Sequence, residues 1–190
     1  MAKGGLRKEY QHLNRAQLLQ KSYELGRDYE MMSQSCSQSV VAALWSLLEI
    51  DDIVVKVSSS LSGGTAVQFL GTCGALCGGV IVLDYYFGRD IRHISHQERI
   101  QENVDASSSG FQIAQSLADR FWKEYGTIIC VQIQRQLFGR FFYALDPDEI
   151  VKIEAAGAHS DPNKCGHIVG NATRWVMEIL LEEGMIKANV

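Results

Sequence analysis

Proline occurs at only two positions in the chain, Pro147 and Pro162, and each directly follows an aspartate. The proline ring fixes φ and removes an amide donor, so it breaks a helix from within but is accepted at a first helical position. The two Asp-Pro pairs therefore read as starts, and the proline-free stretches between them are free to be helical.

Hydrophobic spacing fills those stretches with helices. Asn14 is a candidate N-cap, and Leu18, Leu19, Tyr23 and Leu25 keep an approximate helical period to about Met32. Ser33-Gln34-Ser35-Cys36-Ser37 is a polar break. Val40, Val41, Leu44, Trp45, Leu47 and Leu48 form a strongly apolar helix ending near Ile50. Residues 52–61, capped by Asp51, carry enough β-branched residues for a strand, but the neighbouring helices favour a short helix. Ser62-Gly63-Gly64-Thr65 is a turn. Gly71-Thr72 opens a helix running to about Phe87, where Gly88 stops it. Residues 96–125 carry Phe111, Ile113, Ala114, Leu117, Phe121 and Trp122 at helical spacing, with Ser107-Ser108-Ser109-Gly110 as a candidate break. Residues 130–138 are a short helix stopped by Gly139. Asp146-Pro147-Asp148-Glu149 starts another helix, and residues 165–183 close the chain as an amphipathic one. The expected fold is all-α: a single-domain bundle of about six to eight helices over residues 14–190, behind a loose, charged segment 1–13.

A hydrophobic fraction of 46% and a charged fraction of 21% suit such a globular core. A net charge of −4, with no basic run, argues against nucleic acid as a partner. The first residues have charge but no apolar stretch behind it, so they are not a secretory signal. No apolar run reaches membrane-spanning length; residues 75–87 are short and interrupted by Cys77, Gly78, Gly79 and Asp84. The expectation is a cytoplasmic protein, away from membranes. Thiols start reduced there, and the five cysteines call for a role other than structural disulfides.

Those cysteines share a setting. Cys36, Cys73, Cys130 and Cys165 each fall at the start of an expected helix. Unpaired N–H groups and the positive end of the helix dipole favour a thiolate there, which predicts lowered thiol pKa values and reactive or metal-binding sulfurs. Cys77 lies four residues beyond Cys73, on the same helical face, within GTCGALCGG. Gly63, Gly64, Gly71, Gly74, Gly78 and Gly79 surround the pair. Glycines within a helix cost about 1 kcal/mol each against alanine. What they allow is close backbone approach, either to another helix or to a cofactor held by Gly63, Gly64, Gly71, Thr72 and Gly74. The plainer alternative is that cysteine here is a small buried hydrophobe, and Cys77 beside Val80 and Ile81 fits that best.

Other chemistry is poorly signalled. No Cys-x-x-Cys pair or paired-histidine spacing announces zinc. His159, Cys165 and His167 are the nearest thing to a ligand group, but His159 reads as a loop residue and His167 as a satisfied or surface one. His12, His93 and His96 have no cysteine near them. Gly63-Gly64-Thr65 lacks the Gly-Lys-Ser/Thr ending of a phosphate loop. No Gly-x-Ser-x-Gly elbow occurs. Asp146, Asp148 and Glu149 suit a helix start better than a catalytic carboxylate pair.

The order Cys36, then Thr72-Cys73-Gly74-Ala75-Leu76-Cys77-Gly78, then Cys130, then Cys165 resembles the redox-active proteins named for the pattern C, GCAxxG, C, C. Supporting context is Cys36-Ser37-Gln38-Ser39-Val40 before an apolar helix and Glu124-Tyr125-Gly126 before Cys130. The likeness runs from about residue 36 to residue 181. This chain reads Cys-Gly-Ala where the pattern reads Gly-Cys-Ala, and it adds Cys77. The resemblance implies a small helical redox protein in which Cys36, Cys73, Cys130 and Cys165 take the family's cysteine positions. A related arrangement in the cluster-bearing part of split-Soret cytochromes suggests an iron–sulfur centre for electron transfer, with Cys77 as an additional candidate ligand. A metal-free thiol–disulfide protein and a non-catalytic helical module are the alternatives. No Cys-x-x-Cys-His site is present, so covalent haem is not expected. An electron-transfer partner of unknown identity is implied. Trp45, Tyr85-Tyr86-Phe87 and Phe141-Phe142-Tyr143 are either core or the surface of a homodimer.

Overall fold

A computed structural model describes residues 4–91, 94 and 100–189, excepting the side chains of residues 100–103 and 106. The described residues form one helical domain of eight α-helices, with no strand among them: α1 (Arg15–Ser33), α2 (Cys36–Leu47), α3 (Asp52–Val57), α4 (Gly74–Phe87), α5 (Ile100–Tyr125), α6 (Cys130–Phe138), α7 (Pro147–Ala155) and α8 (Cys165–Glu182).

The starts follow from local chemistry. Asn14 caps α1 by accepting from the Gln17 amide, while the Gln17 side chain accepts from the Asn14 amide in return. Asp146 caps α7 through the Asp148 amide, with Pro147 at the first position. Gly139 takes φ +72° to end α6.

Helices α1, α4 and α8 pack around α2, and α5 packs against α4 and α8; together they bury a core that includes Leu18, Val40, Leu44, Leu83, Tyr86, Leu117, Phe121, Val176 and Leu180. The α1–α8 seam is the most extensive helix pairing in the molecule. It closes because β-carbons are missing: one on Gly26 would collide with Thr173, and one on Gly170 with the Tyr23 ring. A smaller core gathers Phe69, Phe142, Ile153 and Ala158 at the start of α8.

Three expectations change. Ser107-Ser108-Ser109-Gly110 does not divide α5, which is continuous. Ser107 and Ser108 return their hydroxyls to the Val104 and Asp105 carbonyls, and Gly110 lets α5 pass against the Phe87 carbonyl. The segment 4–13 is held rather than loose. Leu6 is buried, Tyr86 donates to the Gly4 carbonyl at 2.7 Å, and the Arg7 amide donates to the Leu47 carbonyl at 2.9 Å. Phe111 and Trp122, which share the period of α5, are 68% and 52% exposed, while Leu117 and Phe121 face the core. The expected start of that helix at residue 96, with His93 and His96, lies outside the described residues.

Candidate functional site: a cavity walled by four thiols

The main core and the smaller one do not meet flush. Between them lies a cavity of about 220 Å³ whose wall includes Cys36, Cys73, Cys130 and Cys165. The rest of its wall is mainly apolar, with Phe69, Ile153 and Ala158 from the small core and Ile168 and Val169 from α8. The four sulfurs come from four separate stretches of chain, brought together by four helix starts.

Each start is built locally. Cys36 is the first residue of α2, and the Gly63 amide donates to its sulfur at 3.4 Å. Cys73 is the N-cap of α4, one step before the first turn where it was expected; its thiol makes no cap hydrogen bond, but the Ala75 and Leu76 amides favour its charged form. Cys130 opens α6, and the buried Gln134 amide nitrogen lies 3.6 Å from its sulfur. Cys165 opens α8. Cys73 and Cys130 are drawn together by backbone pairing: the Cys73 amide donates to the Ile128 carbonyl at 2.8 Å, and the Cys130 amide to the Gly71 carbonyl at 2.9 Å.

The glycines serve the sulfurs through this framework. A β-carbon on Gly74 would collide with Cys36 Sγ, so the Cys36 thiol occupies the space a side chain would otherwise take. Of the five residues expected to hold a cofactor, Gly63 lines the cavity, while Gly64, Gly71, Thr72 and Gly74 are not among its lining residues. Cys77 lies off the cavity wall, half-buried, its sulfur 3.9 Å from the Thr72 carbonyl.

The turn after Ser62 is stranger than the sequence implies. Gly63, Gly64, Thr65, Ala66 and Val67 all have positive φ, as does Phe69. For residues with a β-carbon this conformation costs about 1–2 kcal/mol each. It is pinned by the Ala66 amide on the Ser60 carbonyl (2.8 Å) and the Phe69 amide on the Gly63 carbonyl (2.7 Å). The result places Val67 and Phe69 in the cavity wall and points the Gly63 amide at Cys36.

The expected lowering of the thiol pKa values does not occur. Burial pushes all four up, and their mutual proximity adds to it; Cys130 is pushed up to about 12. Backbone amides act in the expected direction at Cys36 and Cys73, and the Gln134 side chain does so at Cys130, but desolvation outweighs them. In the metal-free chain these are neutral thiols. All five cysteines are free, and among the described residues no three His, Cys, Asp or Glu side chains are grouped to hold a metal ion.

Glu30 of the wall had no sequence signal, and His159 was named as a possible ligand but read as a loop residue. Glu30 of α1, 1% exposed, accepts from Ser39 Oγ at 2.9 Å and faces His159 Nε2 at 3.4 Å. His159, expected as a plain loop residue, places its other ring nitrogen 2.7 Å from Glu154. Their separation along the chain hides the grouping. His167 is satisfied, as expected, between the Tyr23 hydroxyl (2.8 Å) and the Asn171 amide (3.0 Å). Glu149 pairs with Arg140 and Lys152, consistent with a structural helix start.

The fold and site define a helical protein with four helix-start cysteines around one buried cavity. The family profile described as "Putative redox-active protein (C_GCAxxG_C_C)" matches residues 34–179, and the chain belongs to that family. No curated protein and no solved structure matches it. No helix among the described residues is long and apolar enough to cross a membrane.

Proposed function

We propose that this protein is an electron-transfer protein that holds an iron–sulfur cluster through Cys36, Cys73, Cys130 and Cys165. The observation that carries the reading is the cavity itself. An apolar chamber with a thiol on each of four converging helices suits an occupant that bonds to sulfur. A single ion draws its ligands tightly together, and no such grouping is present among the described residues. A polynuclear cluster keeps its thiolates further apart and fills the space between them.

The donor set fits. Four cysteines are the usual ligand set of such clusters, which exchange one electron at a time when bound. The protein's residues do the rest. The thiols' burial, which favours their protonated form, would be offset by the charge of bound metal. The amides of Gly63, Ala75 and Leu76 stabilise negative charge on sulfur, which raises the reduction potential. The mainly apolar wall lowers the local dielectric around the sulfurs. Cys77, off the wall, is left out of the ligand set.

Anaerobic reconstitution with iron and sulfide tests this. The wild-type protein and Cys77→Ser are expected to turn brown and to retain both elements. Serine at Cys36, Cys73, Cys130 or Cys165 is expected to reduce iron retention at least tenfold. A colourless, iron-free wild-type protein that forms a reversible disulfide between cavity cysteines would favour the thiol–disulfide reading instead.

A further inference from the structure

Glu30, His159 and Glu154 form a line from the cavity to the surface. All three line the cavity, and their side-chain exposure rises from 1% at Glu30 through 17% at His159 to 36% at Glu154. Glu30 Oε1 faces His159 Nε2 at 3.4 Å, and Glu154 Oε1 faces His159 Nδ1 at 2.7 Å. A neutral imidazole has one N–H and can donate to only one carboxylate; the imidazolium donates to both. Burying a carboxylate beside an apolar chamber is costly, and packing alone gives no reason to place one there. The titratable groups facing His159 are Glu30 from α1 and Glu154 from α7. Across the cavity are the thiols of α2, α4, α6 and α8. Its own loop carries Asp161 and Lys164.

We propose that Glu30, His159 and Glu154 are a proton relay between solvent and the four-thiol cavity, with His159 as the carrier. This rests on the redox reading above. When a one-electron donor adds an electron inside the cavity, one proton enters from water. His159, protonated on both nitrogens, passes its Nε2 proton to the Glu30 carboxylate, which offsets the added electron; the neutral ring then turns over and recovers a proton that Glu154 has taken from water, so the cavity's charge is unchanged. Oxidation runs the same transfers backwards. The direction of the His159 shift agrees. Burial pulls its pKa down, but the two carboxylates outweigh that and hold it above the ordinary value.

Two measurements test the relay. In the metal-free full chain, ring ¹⁵N NMR is expected to find both His159 nitrogens protonated at pH 7; a neutral ring there overturns the proposal whether or not a cluster forms. In the reconstituted protein, film voltammetry is expected to show the potential falling by about 59 mV for each tenfold drop in proton activity between pH 6 and 8. In His159→Gln and Glu154→Gln the scan rate at which this coupling is lost should drop at least tenfold. A pH-independent wild-type potential, or variants with the wild-type limit, overturns the relay while leaving the cluster intact. Failure to assemble any cluster counts against the cluster instead, and the NMR result then decides the relay.

Discussion

The α1–α8 seam and the thiol cavity use glycine for opposite ends. At Gly26 and Gly170 the missing β-carbons let two helices meet without a gap, and the core around Leu18 and Val176 is closed. At Gly74 the missing β-carbon makes room for a sulfur from another helix, and the helix starts converge without filling the space between them. One region uses close approach to exclude everything. The other uses it to line a chamber, and tolerates neutral buried thiols, a buried carboxylate and left-handed backbone in doing so. Stability therefore belongs to the first region, and the proposed ligand binding to the second.

Substitutions can break or sharpen that division. The largest loss of stability is expected in the closed core: Leu44→Ala should destabilise by about 3 kcal/mol in urea unfolding, while the folded fraction still retains iron. Gly74→Ala pushes against Cys36 Sγ and the Ser62 backbone, should cost about 1–3 kcal/mol, and should in addition remove most of the iron. If Gly74→Ala binds iron normally, the glycine is there for packing alone and the contrast between the regions fails. Ala66→Gly relieves a left-handed residue and should stabilise by roughly 0.5–1 kcal/mol, the relief reduced by glycine's greater freedom when unfolded.

The smallest effect is pH-dependent. A histidine whose folded pKa is raised contributes stability that is fully present below its unfolded pKa, near 6.5, and is lost as pH rises through the folded value. Wild-type stability should therefore decline relative to His159→Gln as pH rises from 6 through the folded pKa. A difference independent of pH would mean that His159 is not charged between its two carboxylates.

The helices were legible because their signals are local. Asn14, Asp146-Pro147 and Gly139 mark ends by chemistry that acts within a few residues, and α6 and the start of α8 fall where the pattern places them. The four helix-start cysteines were legible for the same reason. What was not legible depends on distant parts of the chain. Desolvation of the thiols arises only when both cores close around them, so the dipole argument gave the wrong direction. Glu30 and His159 meet across more than half the sequence. The left-handed run through Thr65 and Val67 contradicts the local preference of β-branched residues and exists because the surrounding hydrogen bonds impose it. Gly110 reads as a helix breaker until the Phe87 carbonyl is placed beside it.

Iron K-edge X-ray absorption on the anaerobically reconstituted wild-type protein tests the chamber's role most directly. An iron site surrounded by sulfur, with a second shell of iron close by, is the predicted result. Iron bound only through oxygen or nitrogen, or sulfur-bound iron with no neighbouring iron, would contradict a polynuclear cluster held by Cys36, Cys73, Cys130 and Cys165.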